Sequence, residues 1–329
     1  MKPWRKQAAL MAALAVAAVI SVLPLYATGY VRSLLNLYLL YVILAVSFDI
    51  MRGNTGYVNL AHTPVFGWSA YFFAILTKNG YDAVLSMAAA ALFSLALAMG
   101  VGASFFRTRG AYYTIITLGF SLLSYSLAYS MDWVTGGWQG ISVAFGEMHL
   151  PAFYGLFTIA AAAVVSSYLI SRSRFGLALK TMRESEDAAE MLGLNTYTMK
   201  LRALAISSVF PALTGPLYVL YNSYVNPDTV FGLKNIFAPA TMALFGGSGT
   251  VIGPLVGAVM ITTAFEILFT TQLPVRLTVI GAILLAVGLF MPRGLVGLIP
   301  TIRRKANSFN IRAGGLSAPP ATGGPVRQK

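Results

Sequence analysis

SRSRFGLALKTMRESEDAAEMLGLNTYTMKLR, residues 171–202, is the one long polar stretch ahead of the C-terminal tail. It holds four of the ten acidic residues (Glu184, Glu186, Asp187, Glu190) and six of the 23 basic ones (Arg172, Arg174, Lys180, Arg183, Lys200, Arg202). Apolar runs of about 20 residues, the length that crosses a hydrocarbon core of roughly 30 Å, flank it on both sides. The segment is read in water while its flanks sit in lipid.

Composition supports that division. A mean hydropathy of +0.72, with 57% hydrophobic and 10% charged residues, is far from the quarter of charged residues usual in soluble domains. The chain reads as an all-α, polytopic transmembrane helical bundle without an appended soluble domain, with residues 1–305 as the membrane domain. Residues 306–329, rich in Gly, Pro and Ala, read as a disordered cytoplasmic tail. The net charge of +13 would suggest nucleic acid in a soluble protein. Here the threading leaves only Arg32, Lys78, Lys234 and Arg276 on the outer face, so the basic excess reports orientation and no nucleic-acid partner is expected. With no cysteine, disulfides and thiolate metal sites are excluded. No metal or cofactor is expected.

Apolar length, Gly/Pro breaks and basic flanks give ten spans with both termini in the cytoplasm. They cover Ala8–Ala27, Leu34–Met51, Leu60–Thr77, Val84–Phe106, Ala111–Ser130, Pro151–Ile170, Ala203–Tyr221, Asn235–Phe245, Thr250–Thr270 and Leu277–Met291. The first is longer than a signal-peptide core and lacks a small-x-small cleavage site. External loops are expected at Met131–Leu150 and Asn222–Lys234. Two glycine-rich breaks, Gly53-Asn-Thr-Gly-Tyr-Val58 and Gly246-Gly-Ser-Gly-Thr-Val251, resemble each other, each followed by Pro then Gly (Pro64 and Gly67, Pro254 and Gly257). An internal repeat of this kind suits a transporter.

Within the polar stretch, Ser185 to Gly193 has the parts of a short helix. Ser185 suits the N-cap, Glu186 and Asp187 the positive end of the helix dipole, and Gly193 the left-handed position past the C-terminus. Two turns are too short to be stable alone in water. The helix therefore depends on packing, through Ala188, Ala189, Met191 and Leu192, with Arg183 and Glu184 framing one edge. A solvated loop with an incidental helix is the competing reading.

The run FGLALKTMRESEDAAEMLGLN, residues 175–195, resembles the cytoplasmic coupling segment of ATP-binding-cassette (ABC) importer permeases of the branched-chain amino acid (LivM/LivH-like) family. Further matches are Leu35-Asn-Leu-Tyr38, Gly56-Tyr-Val-Asn-Leu-Ala-His62 with Phe66-Gly67 and Ala70-Tyr71, Arg107-Thr-Arg-Gly-Ala-Tyr-Tyr113, Thr135-Gly-Gly-Trp-Gln-Gly140, Leu244-Phe-Gly-Gly-Ser-Gly249 with Gly253-Pro254, and Met291-Pro-Arg-Gly-Leu-Val-Gly297. The resemblance covers about residues 30–300, and order and length favour the LivM-like subunit. The family's Ser-Leu-Gly-His is Asn59-Leu-Ala-His62 here, and an arginine of the family is Leu177.

The resemblance implies an importer permease of the cell inner membrane for branched-chain or related hydrophobic amino acids. It implies pairing with a homologous permease, a heterodimer, two cytoplasmic ATPase subunits docked on the coupling segments, and an extracytoplasmic substrate-binding protein. The ATPase-coupling residues it points to are Arg183, Glu184, Ser185, Glu186, Asp187, Ala188, Ala189, Met191, Leu192 and Gly193. No G-x-x-x-x-G-K-[ST] phosphate loop occurs, so ATP hydrolysis falls to another chain and this one is not an enzyme.

A glycine-interrupted helix start exposes backbone N–H groups and suits an anionic group such as an amino-acid carboxylate. Candidate substrate-pathway residues are Asn54, Thr55, Gly56, Asn59, His62 and Thr63 at the first break and Gly247, Ser248 and Gly249 at the second. His62 reads equally as part of a packing turn, bonded to a neighbouring carbonyl. Asp49 reads either as a local partner of Arg52 or as a substrate contact, and Glu266 as a gate, an inter-helix pair or a structural contact. Urea, short amides or other small solutes are alternative cargoes. From another class, an ion-coupled secondary transporter would want clustered buried ionisable residues, whereas Asp49, His62 and Glu266 are scattered along the chain.

Overall fold

The computed structural model describes residues 18–146 and 148–270. The expected span Leu277–Met291, the first expected span as far as Ala17 and the tail from residue 306 lie outside them. Residues 18–26 are helical. The longer helices that follow are α1 (Gly29–Thr55), α2 (His62–Lys78), α3 (Ala83–Phe105), α4 (Ala111–Ser130), α5 (His149–Arg172), α6 (Arg174–Glu184), α7 (Glu186–Met191), α8 (Thr196–Asn222), α9 (Pro227–Phe231), α10 (Leu233–Gly246) and α11 (Gly253–Thr270). Five of them, α1, α3, α4, α5 and α8, are long and apolar enough to cross a membrane. Among the described residues the only sheet is a two-residue antiparallel bridge, Ile141 opposite Val225 and Ser142 opposite Tyr224, which ties together the two expected external loops.

Helices α1 and α8 form the centre. In α1 every residue from Leu40 to Met51 is at most 6% exposed, so this stretch is enclosed by protein on every side, Ser47 and Asp49 included. It packs against α5, α8, α10 and α11, while α8 packs against α2 and α3. The outer helices bury only a stripe. In α3 the buried positions are Ser86, Ala90, Ser94, Ala98 and Gly102, one every fourth residue and all small, so the helix lies close to its neighbours. A side chain at Gly102 would collide with Leu204 of α8.

Three prolines inside helices set the inter-helix contacts. Proline lacks an N–H, so the carbonyl four residues earlier loses its donor. In lipid no water replaces it, and another protein group must. Pro211 orphans the Ser207 carbonyl, which accepts a hydrogen bond from Ser47 Oγ of α1. Pro216 orphans the Ala212 carbonyl, which accepts from Ser69 Oγ of α2 at 2.5 Å. Pro239 of α10 orphans the Asn235 carbonyl, which accepts from Thr63 Oγ1 at 3.0 Å. Hydroxyls of α1 and α2 thus complete the backbones of α8 and α10.

Several boundaries differ from the sequence expectation. The first glycine-rich break begins later: α1 continues through Gly53, Asn54 and Thr55 and ends at Gly56, whose φ of 80° takes the left-handed cap. Helix α8 starts at Thr196, where the Asn195 side chain accepts from the Thr198 N–H, seven residues before the apolar run. The second break does separate two helices. Helix α10 has 14 residues, about 21 Å at 1.5 Å each and shorter than the hydrocarbon core. It lies directly on α11: a Cβ at Gly246 would meet the Gly253 carbonyl, and one at Gly257 the Met242 carbonyl.

Replacing Ser69 by alanine is expected to leave the Ala212 carbonyl unsatisfied and to cost about 1–3 kcal/mol. Pro216→Ala restores the missing N–H, so the double variant should recover most of that loss. Thermal unfolding of the two single variants and the double variant in detergent reads the coupling; additive losses would contradict it.

Candidate functional site

The polar stretch folds as two helices with Ser185 between them. Helix α6 is amphipathic, burying Gly176, Leu179 and Met182 while Leu177 is exposed. Ser185 caps α7 as its sequence suggested, accepting from the Ala188 N–H at 3.2 Å, and Gly193 follows with φ +79°. One face of α7 looks back at its own chain: Ala189 is fully buried. The other carries Met191 and Leu192, exposed by 83% and 71%, beside exposed Glu184, Ser185, Asp187 and Gly193. Ala188 is half-buried between the two faces.

Helix α7 is fixed to the membrane helices by polar contacts. Lys200, in the first turns of α8 and 2% exposed, pairs with Glu186. Its ammonium also donates to Tyr57 Oη at 3.0 Å and lies 4.6 Å from the centre of that ring. Tyr57 in turn donates to Glu186 Oε2 at 2.6 Å. Burial works against the Glu186 charge, but the hydrogen bonds from Lys200 and Tyr57 outweigh it and hold the carboxyl below its ordinary 4.5. On the surface, Arg109 pairs with Asp187 at 2.7 Å and reaches Glu190 at 3.6 Å, while Thr196 donates to Glu190 at 2.7 Å. One helical turn earlier, Arg183 Nη1 donates to the Gly53 carbonyl at 2.8 Å. Arg183 and Glu186 therefore grip the first glycine-rich break at its two ends, Gly53 and Tyr57.

The two breaks touch each other, although sequence placed them almost 200 residues apart. Asp49, 3% exposed, accepts from Ser248 Oγ at 2.5 Å and from the Gly249 N–H at 3.0 and 3.1 Å, one oxygen each. The backbones approach so closely that a Cβ on Gly53 would sit 2.9 Å from Gly249 Cα. Gly247 and Gly249 both take positive φ, 117° and 83°, giving the tight turn that presents this N–H.

The remaining pathway candidates bond within the chain. Asn54 donates to the Ile50 carbonyl, Thr55 to that of Met51, and Asn59 Oδ1 accepts from the Ala61 N–H. Gly56 is the cap of α1, with the Arg183 stem against it. Thr63 completes α10, as described above. His62 is 1% exposed, with Nδ1 3.0 Å from the Asn59 carbonyl and its ring edge-on to Phe48. The Nδ1 contact is the one the packing reading describes, while Nε2 is buried without a hydrogen-bond partner among the described residues. Asp49 reaches across to the second break, beyond the local Arg52 partner that sequence suggested. Glu266 accepts from Tyr30 Oη at 2.8 Å, an inter-helix bond.

Sequence reasoning missed Lys200 and Tyr57. Lys200 counted only as one of the positive-inside cations, and its one distinguishing sign is a lone lysine at the start of a long apolar helix. Removing it by Lys200→Met should leave Glu186 half-buried without its cation and lower stability by about 3 kcal/mol. Glu186→Gln in the same chain should recover much of this. Because the folded carboxyl titrates below its unfolded value, the pair's contribution is complete above pH 4.5 and is lost as pH falls through the lower folded value. Unfolding of the wild type, both single variants and the double variant at neutral and acid pH checks both statements.

The family described as branched-chain amino acid transport system / permease component matches residues 30–288. The chain is 26% identical over 301 residues to the high-affinity branched-chain amino acid transport system permease protein LivM of Salmonella typhimurium, covering 82% of this chain and 70% of that one. It is 25% identical over 315 residues to LivM of Escherichia coli, covering 86% and 73%. The autoinducer 2 import system permease protein LsrC of Salmonella paratyphi B is 26% identical over 184 residues, 53% of each chain. No solved structure matches. The protein belongs to the permease family of branched-chain amino acid transport systems.

Proposed function

We propose that this chain is the transmembrane permease subunit of an ABC importer that moves branched-chain or related hydrophobic amino acids into the cell. Two separate ATPase subunits dock on residues 185–193, a homologous permease pairs with it in the inner membrane, and an extracytoplasmic binding protein delivers the solute. Ten crossings with both termini in the cytoplasm put the coupling segment on the ATPase side. The observation that carries this reading is α7 itself. Its apolar tip, Met191 and Leu192, stands in water, ringed by acids, while its base is anchored to three membrane elements through Glu186, Arg109 and Arg183. A loop of no function needs neither the exposed apolar tip nor the buried ion pair beneath it.

Such a lever suits alternating access. ATP-driven closure of the ATPases displaces α7, and the Lys200–Glu186 pair passes that displacement to α8. The two facings then differ in energy according to how the docked subunits hold α7, as any coupled cycle requires. An ion-coupled carrier has no use for the lever, and the ionisable candidates in the described spans are bound to helix neighbours. The match to autoinducer 2 permeases favours one second reading, in which the same machinery carries another small solute. The ligand retained by the cognate binding protein decides between them.

Reconstitution with the partner subunits and binding protein in liposomes tests the proposal directly: solute should accumulate only with ATP. Met191→Glu with Leu192→Glu should cut solute-stimulated ATP hydrolysis by at least about tenfold, because burying even one unpaired charge in an apolar contact costs more than the roughly 1.4 kcal/mol that this factor represents, and should weaken co-purification of the ATPases. The variant should unfold at the wild-type temperature. Undiminished stimulation would remove α7 from the coupling role.

A further inference from the structure

The geometry points to Asp49 as a positioning residue for transport: its carboxylate clasps the second glycine-rich break to the first and so extends the reach of the coupling segment from α8 to α10 and α11. This rests on the permease reading above and adds a residue and a route to it.

Three observations carry the inference. First, Asp49 is the only group that bonds the Ser248–Gly249 turn to α1 among the described contacts, and it does so with both oxygens. Second, the contact leaves no room for substitution by packing alone: Gly53 meets Gly249 backbone to backbone. Third, one of the two cations that face this carboxylate, Arg183 after Arg52, comes from the coupling segment. Arg183 donates to the Gly53 carbonyl, and its Nη1 would lie 3.4 Å from a Cβ on Gly249. Arg52, one turn along α1 from Asp49, is the other cation facing it.

Burying a carboxylate is costly unless charge and hydrogen bonds compensate it. Here one of the compensating charges sits on the element that moves. When α6 and α7 shift, Arg183 leaves Asp49 with a single neighbouring cation, and the grip on Ser248 and Gly249 changes with it. The clasp is therefore tight or loose according to the position of the coupling segment. It links the ATPase-facing surface to a second pair of membrane helices that α8 does not carry.

Asp49→Asn tests this, because asparagine keeps an acceptor for Ser248 and removes the charge. In the reconstituted complex, solute moved per ATP hydrolysed should fall by about tenfold, the factor that one lost charge-assisted hydrogen bond carries, while assembly with the ATPases persists. Arg183→Gln should give a comparable fall, and the double variant should be no worse than either single, since both remove the same electrostatic link. A merely structural role predicts losses in amount or stability with an unchanged ratio of solute to ATP. A wild-type ratio in Asp49→Asn, or multiplied losses in the double variant, overturns the inference.

A second measurement does not depend on transport. The chain has no cysteine, so Val251→Cys, half-buried beside the break, gives a single thiol. Its labelling by a maleimide in membranes should become several-fold faster with Asp49→Asn. Unchanged labelling overturns the clasp; faster labelling with no ATP-driven uptake in the wild type overturns the permease reading and leaves the clasp standing.

Discussion

A backbone carbonyl in lipid must find a donor inside the protein, and this constraint shapes the described core. Helix α8 carries two prolines and α10 one, and each removes a donor that water cannot replace. Ser47, Ser69 and Thr63 supply the substitutes across helix contacts. Each bond fixes the rotation and height of one helix against another, because a hydroxyl reaches only one carbonyl. Small residues along α3 then let the outer helices close on this core. Helices α1, α2, α8 and α10 are joined by backbone completion as much as by apolar contact.

Against that core the polar segment behaves as an attached part. It touches the membrane helices through polar contacts at Gly53, Tyr57, Lys200 and the Arg109 turn, and through Leu179, Met182 and Ala189, which are buried in the same apolar cluster as the membrane helices. The core is locked by hydroxyls, and the segment on it is held by ions together with a small apolar face.

Local signals in the sequence were legible because they depend on neighbours a few residues apart. Ser185 and Gly193 bound α7 through capping chemistry, which needs only one turn of chain. The second break at Gly246–Gly249 was equally plain. Helix α6 was not, because its charged residues hid the amphipathic spacing of Gly176, Leu179 and Met182. The first break was placed too early, since Gly53 is tolerated inside α1 for its close approach to Gly249, and only Gly56 needs the left-handed conformation. The pairing of Asp49 with Ser248 was illegible for a different reason. Its partners are 199 residues apart, and no periodicity relates them. The role of Thr63 in the packing was illegible likewise, since its hydroxyl answers a proline 176 positions later in a helix read separately.

The three hydroxyl–carbonyl bonds also have an order in time. Ser47, Ser69 and Thr63 precede their acceptors by 160, 143 and 172 residues, so at roughly 5–20 residues per second the donors are made many seconds earlier. A waiting serine or threonine can turn its hydroxyl onto a carbonyl of its own helix and lose little. A waiting proline-broken carbonyl has no such refuge. Because the donors lie upstream in all three cases, each of these proline-broken helices enters a bilayer where its repair is already in place, and none of the three carbonyls need wait bare in oil.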